Sequence, residues 1–324
     1  VSDRPAPTTE RGDVTPAETS FASRGTRCAA WHLTATSDAL AGSRGRPCVV
    51  LGHGLGATRD CGLLPFAQRF AAAGCDVLVF DYRGFGTSGG TADPALAQDV
   101  HHLRHRADYH AAIAHARALP GVDRERIVLW GSSYSGGHVV PVAARDGQVA
   151  AVIAQGAAMD GRAALREILR HAGPGQPARL IGHGLLDVAG SLLGRPPHRI
   201  GVFGPPGATA AVTAPDAEAG YSAITGPSFR NTMRARGVLR IPFNRPVTAA
   251  RRLRAPLLLV VAIRDSIAPP AAARAVAARA GAGAEVLELG CGHFDVYCGA
   301  MFERSVTAQV GFLTRTLALG PAAG

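Results

Sequence analysis

The stretch Ile127-Val128-Leu129-Trp130-Gly131-Ser132-Ser133-Tyr134-Ser135-Gly136-Gly137 decides how the chain is read. An apolar run of strand length, Arg126–Trp130, enters a turn of the form small-x-Ser-x-small. It continues straight into a helical pattern, Ser135–Ala144. A turn that tight forces its central residue into a strained backbone conformation, so the residues two places away must be small. Gly131 and Ser135 meet that need around Ser133. The bend lifts the Ser133 hydroxyl above the sheet edge and aims the first N–H groups of the helix at the same space. Centring the turn on Ser132 would put Trp130 and Tyr134 at the small positions. Centring it on Ser135 would put Ser133 and Gly137 there, but too far from the strand end. Glycine is the usual last small residue, so Ser135 is a departure. The plain alternative is a Ser-rich helix start that only caps; the strand, turn and helix in sequence argue against it.

Outward from this stretch the same rhythm repeats. Apolar runs at Pro47–Gly52, Asp76–Phe80, Val149–Gln155 and Pro256–Ile263, with a strand at Ala284–Leu289, alternate with helical patterns. The helices are expected at Leu63–Ala73, Pro94–Leu119, Pro270–Ala280 and Gly299–Leu317. Short apolar runs between helices predict an α/β fold with a mostly parallel sheet flanked by helices. Right-handed crossovers then align the strand C-termini along one edge, where ligand sites of such sheets lie. Cys28–Thr34 alternates loosely and reads as an early strand. Between Gly161 and Val247 the rhythm breaks. Helix-like pieces, Arg162–His171 and Leu180–Leu193, are mixed with Pro/Gly clusters at Gly173–Pro177 and Gly204–Gly207. This predicts a mobile inserted segment rather than sheet. A length of 324 residues suits one large domain with an insertion. The expected division is a flexible arm over 1–24, a core over 25–160 and 247–318, and an insertion over 161–246. No internal repeat is present.

A serine hydroxyl needs a base to take its proton. Of the 12 histidines, His293 is best placed, in the Gly290-Cys291-Gly292-His293-Phe294 loop directly after the last expected strand. An acid must hold the imidazole in one tautomer and stabilise its charged form. Asp265 follows the Pro256–Ile263 strand and is the first choice; Asp160, after Val149–Gln155, is the runner-up. Asp295 is too near His293 in sequence to be favoured. A developing oxyanion needs donors. The backbone N–H of Tyr134 is one. Leu51-Gly52-His53-Gly54-Leu55-Gly56 supplies the other through the Leu55 N–H, because its glycines let backbone approach substrate. His53 reads as a residue that braces this loop.

Together His53-Gly54-Leu55-Gly56, Asp81-Tyr82-Arg83-Gly84-Phe85-Gly86-Thr87-Ser88, the Ser133 turn, Asp265 and Gly292-His293-Phe294 resemble the α/β-hydrolase superfamily. Their order, Ser, Asp, His, is that superfamily's order. Within it the chain is similar to the bacterial dienelactone-hydrolase-like and serine-aminopeptidase-like branches, over about residues 25–318 outside the insertion. The resemblance implies an α/β-hydrolase fold, a helical lid at about 161–246, and a bracing role for the Asp81–Ser88 loop. It implies a serine esterase or thioesterase acting on an ester, thioester, lactone or activated amide of a small to mid-sized hydrophobic acyl substrate. An acyltransferase or a carbon–carbon bond hydrolase would use the same residues. A non-catalytic binding protein of this fold would usually lack one of the three.

The remaining signals are weaker. The formal charge is +10, but every one of the 34 basic residues is Arg, and they are scattered without interleaved aromatics. A nucleic-acid partner is therefore not expected. His101, His102, His105 and His110 share one expected helix, and His101 and His105 stand four apart; a solvated helix face is favoured over a metal pair. Gly84-x-Gly86 lacks the acidic residue that a dinucleotide site needs. Arg251-Arg252-x-Arg254 reads as a solvated linker face rather than an anion site. Neither metal nor organic cofactor is called for. No apolar stretch is long enough to span a membrane, and the first 20 residues lack an apolar signal core. Six cysteines at unpatterned spacing suggest a reducing cytoplasm. Oligomeric state is not readable.

Overall fold

The computed structural model describes residues 14–318. The chain runs β1 (Ala17–Ser23), β2 (Thr26–Leu33), β3 (Arg46–Gly52), α1 (Leu64–Ala72), β4 (Asp76–Phe80), α2 (His102–Ala116), β5 (Val122–Ser132), α3 (Tyr134–Asp146) and β6 (Ala151–Gln155). It continues through α4 (Gly161–Ala172), α5 (Gly175–Leu192), β7 (Arg199–Phe203), β8 (Ala210–Val212), α6 (Ala217–Ile224) and β9 (Met233–Arg234). Then come β10 (Leu257–Ala262), α7 (Pro270–Ala280), β11 (Ala284–Leu289) and α8 (Gly299–Leu317), with short 3-10 turns between. Eight strands form the main sheet in the order β1-β2-β4-β3-β5-β6-β10-β11. From β4 to β11 neighbours are parallel; β1 and β2 join antiparallel at one edge.

Successive side chains on a strand point to opposite faces, and the central strands are apolar on both. Val50 and Leu129 enter the core under α2 and α3. Val49, Leu51, Val128 and Trp130 enter the core under α1 and α8. Each aliphatic side chain buried there contributes about 1.5–3 kcal/mol. Trp130 also donates its indole N–H to Gln309 Oε1 at 2.7 Å, so the largest core side chain carries no orphan donor. The chain leaves β3 toward β4 on one side and then crosses back to β5 on the other. That reversal opens a crevice at the C-terminal ends of β3 and β5. The loops carrying Leu55 and Ser133 start there.

Several expectations need correction. Residues 1–13 of the expected arm lie outside the described residues, but 17–23 form β1. Its only large apolar side chain is Phe21, so periodicity is faint. The strand exists because Arg24 and Gly25, both at positive φ, fold it back onto β2 in perfect register. The pattern over Pro94–Leu119 yields a helix only from His102; Gln98 at φ 54 marks the irregular lead-in. The Gly173–Pro177 cluster is partly helical, since α5 begins at Gly175. The insertion holds sheet as well as helix: β8-β7-β9 form a separate three-stranded sheet. Its strands are two to five residues long, too short for a pattern to register. No helix among the described residues is long and apolar enough to cross a membrane.

Candidate active site

Ser133 stands between the end of β5 and the first turn of α3 with φ 57 and ψ −120. Positive φ is costly for a side chain with a Cβ and persists only where surroundings enforce it. Here they do. The Ser133 N–H donates to Gln155 O at 2.9 Å, and its carbonyl accepts the Ala158 N–H at 2.9 Å. A Cβ at Gly131 would lie 2.5 Å from Ser135 O, so only glycine fits that position. Ser135 is more than small. Its hydroxyl donates to Gly52 O at 2.6 Å and accepts the Ser132 N–H at 2.9 Å, which ties the bend to β3. Glycine could not make that tie, which accounts for the departure seen in the sequence.

His293 and Asp265 come from loops after β11 and β10, neighbours in the sheet. His293 Nε2 lies 3.0 Å from Ser133 Oγ, and Nδ1 lies 2.6 Å from Asp265 Oδ2. The other Asp265 oxygen accepts the N–H groups of Ile267 and Ala268 at 2.8 and 2.7 Å. The carboxylate is therefore fixed, and the Nδ1–H tautomer is selected, leaving Nε2 free to accept from Ser133. Burial alone would lower the His293 pKa. The Asp265 charge and hydrogen bond, with the charge of Asp216, outweigh it and hold the pKa above the ordinary imidazole value. Asp160 is not part of this chain of contacts. It caps α4 by accepting the Arg162 N–H and pairs with Arg245 at 3.0 Å. Asp295 accepts the Gly292 N–H at 2.7 Å and so shapes the histidine's loop.

The loop after β3 packs directly on Ser133: a Cβ at Gly54 would lie 3.2 Å from Ser133 Cβ. Leu55 and Tyr134 both line the cavity that opens above Ser133. Neither backbone N–H donates to a backbone acceptor among the described residues, so both remain available. The cavity holds about 110 Å³. Most of its wall comes from the insertion: Ala164 and Ile168 of α4, Val212 of β8 and Tyr221 of α6, with Ile267 beside Asp265. The surface is mainly apolar, interrupted by Glu167, His171, Thr213 and Ser266.

His53 is buried behind the site. It donates through Nδ1 to Gly54 O at 3.1 Å and accepts the Tyr82 N–H at 3.4 Å. Burial pushes its pKa down to about 4, so it is a neutral brace at neutral pH. Asp81 holds the same region by accepting the Arg59 N–H at 2.7 Å and the Thr87 N–H at 3.3 Å. Burial raises its pKa to about 6 against those bonds.

The solvated face expected for the α2 histidines is not found. His102 and His105 are buried, His101 and His110 half-buried, while Leu103 is 59% exposed. The reason is that this face packs on α3 and on Tyr82, whose ring stacks on His105 at 4.1 Å. His138 of α3 joins them, 4.6 Å from the Tyr134 ring. Both ring nitrogens of His105 and of His138 lack a partner. Among the described residues no three His, Cys, Asp or Glu side chains are grouped to hold a metal ion.

Sequence reasoning missed Asp216, Tyr221 and Tyr297. Asp216, just before α6, accepts from Ser266 Oγ at 2.8 Å and acts on His293 through its charge. Tyr221 donates to Leu55 O at 3.3 Å, and Tyr297 donates to Ser132 Oγ at 2.6 Å. None lies in a recognisable motif, and the first two sit in the insertion, where no periodicity assigned them a place.

A family model described as the alpha/beta hydrolase family matches residues 49–304. Quorum-quenching protein AidA of Acinetobacter baumannii is 38% identical over 302 residues, covering 93% of this chain and 95% of that protein. Thiohydrolase aneE of Aspergillus aculeatus is 34% identical over 112 residues, about a third of either chain (35% and 34%). Among solved structures, alpha/beta hydrolase GrgF from a Penicillium species superposes with TM-score 0.75 at 21% identity, covering 94% of this chain and 100% of that one. The extent of the family match and the full-length likeness to AidA agree with the sheet order and the bend at Ser133: the chain belongs to the alpha/beta hydrolase family.

Proposed function

We propose that the chain is a serine hydrolase that cleaves an ester, thioester or lactone through an acyl-enzyme. The observation that carries this reading is the unbroken contact from Asp265 through His293 to a Ser133 hydroxyl presented on a strained bend. In the first step His293 Nε2 takes the Ser133 proton while Oγ bonds to the substrate carbonyl carbon. The carbonyl oxygen gains the electron pair and is held by the Leu55 and Tyr134 N–H groups. Asp265 stabilises the imidazolium. His293 then gives its proton to the leaving group as the carbonyl reforms. Water, deprotonated by the same nitrogen, releases the acid and restores the serine. A positioned base supplies about 10²–10⁴ in rate, and each oxyanion donor about 10²–10³.

The apolar wall of the cavity favours a hydrophobic acyl group, and its size favours a short one. A longer group requires residues 161–246 to move, which is the lid role we assign to them. The likeness to a quorum-quenching protein makes a signalling ester or lactone one class to try, and the thiohydrolase likeness makes a thioester another. A second reading, acyl transfer to an alcohol or amine, draws on one curated relative from a Penicillium species, named a polyketide transferase.

The test combines a fluorophosphonate probe with a panel of acyl esters, thioesters and lactones of graded length. Wild type should be labelled and Ser133→Ala should not. Labelling that survives Ser133→Ala, or wild type that neither labels nor turns over any substrate, refutes the proposal. Product analysis with added alcohol separates hydrolysis from transfer.

A further inference from the structure

Between α2 and α3 the surface opens into a groove of about 740 Å³ that shares no lining residue with the cavity at Ser133. Arg24, Arg106, Arg145 and Arg252 line it, with His110, and no carboxylate does. These four arginines reach the groove from four segments: the β1–β2 turn, α2, α3 and the 3-10 turn at Ala250–Arg252. None forms an ion pair among the described residues. Nearby arginines are paired: Arg104 and Arg240 with Asp99, and Arg117 with Asp146.

Arg106 is the informative member. One of its NH2 groups donates to Asn244 Oδ1 at 2.6 Å, while its Nε is buried without a partner. Burial lowers its pKa below the usual guanidinium value, and no carboxylate offsets that. A charge taken out of water without a counter-charge is unfavourable, and an anion in the groove would supply one. His110 lies beside the groove arginines: burial first, then the Arg145 charge, lower its pKa, with the Asp146 carboxylate acting the other way.

We propose that this groove binds a small phosphorylated molecule. Its phosphate oxygens would pair with Arg106, Arg145 and Arg252, and its apolar part would lie on Leu103, Pro141 and Val142. Donors converging from separate segments suit a tetrahedral group with oxygens in several directions better than a planar carboxylate. The volume falls in the range of small-molecule sites and exceeds what a bare ion fills. Arg251, Arg252 and Arg254 are all exposed, as the sequence suggested, and Arg252 also lines the groove.

Titration calorimetry with inorganic pyrophosphate at constant ionic strength tests the proposal. Wild type should bind saturably, one ion per chain. Arg145→Glu/Arg252→Glu should weaken binding about 100-fold, tenfold per guanidinium removed. Both side chains are exposed, so the variant should fold; Arg145→Gln/Arg252→Gln is the milder substitute if it does not. A charge-matched Arg124→Glu/Arg195→Glu protein, altered at exposed arginines outside the groove, should bind as wild type. No saturable binding by wild type, wild-type binding by the groove variant, or equal loss in the charge-matched protein would each overturn the proposal.

Discussion

Lowering the pH from 6 to 5 should lower folding stability, by the order of a few kcal/mol. Three histidines behind the site, His53, His105 and His138, are buried. Burial holds the His53 pKa at about 4 and the other two well below the ordinary imidazole value. In the unfolded chain each titrates near 6.5. Below 6.5 the unfolded chain binds protons that the folded chain refuses at all three, so stability rises with pH, by up to ~1.4 kcal/mol per unit for each. His102, whose pKa burial and then the Arg106 charge lower to about 4, acts in the same sense. Asp81 acts in the opposite sense. Its folded pKa is raised to about 6, so the folded protein keeps a proton there that the unfolded chain has lost above about 4. That offsets at most about one histidine, so stability still falls as the pH falls. Carboxylates with depressed pKa values, such as Asp76 and Asp187, keep their contribution until the pH falls below the ordinary carboxylate range. Total stabilities of 5–15 kcal/mol make such a loss easy to see. Urea unfolding at half-unit intervals from pH 7 to 4.5, followed by Trp fluorescence, measures it. His138→Phe should reduce the slope between pH 5 and 6 whatever it does to absolute stability. A flat stability profile between pH 6.5 and 5, or an unchanged slope in that variant, would refute the reasoning.

Gly131→Ala should cost about 3 kcal/mol or more, because its Cβ would meet the Ser135–Gly136 peptide, with Ser135 O at 2.5 Å; thermal melting and loss of probe labelling check it. Asp265→Asn should lower kcat by about 10⁴ through the wrong tautomer, whereas Asp160→Asn should leave kcat near wild type and cost little stability, because an asparagine oxygen still caps α4 and only the ion pair to Arg245 is lost. The acid limb of kcat/KM should sit above pH 6.5, because the His293 pKa is raised and the base works only when neutral. Asp216→Asn should move that limb to lower pH, with Ser133 labelling at pH 8 preserved.

How much of this was legible follows from where the information lies. β4, α7 and α8 fall at their expected bounds because each is an apolar run or helical pattern, and β11 does because Gly283 and Gly290 bound it. The bend at Ser133 was readable because sterics dictate its neighbours, and Gly131 leaves no room for another residue. β1 was not, because its stability comes from pairing with β2 rather than from its own side chains. The α2 histidines misled for a related reason. Histidine is polar by composition, but an aromatic ring can be buried neutral against Tyr82 and Tyr134, and only tertiary packing decides which happens.

The insertion was the least legible part, and it does more than wall the cavity. The groups proposed to react all rise from core loops, after β3, β5, β10 and β11, and so keep their mutual geometry whatever covers them. Asp216 is the exception in kind: it belongs to the inserted segment yet raises the pKa of His293. It is held there by a single hydroxyl, Ser266, at 2.8 Å. If residues 161–246 move as the lid proposed above, opening withdraws that carboxylate and lowers the His293 pKa. Closing over an acyl group restores it, so the base is strongest when water is excluded and substrate is in place. Access and basicity would then be coupled through one residue. Ser266→Ala should loosen that coupling and shift the acid limb of kcat/KM downward, in the same direction as Asp216→Asn but by less. An acid limb that Asp216→Asn moves and Ser266→Ala leaves in place would show that the carboxylate acts on His293 without the hydroxyl that holds it.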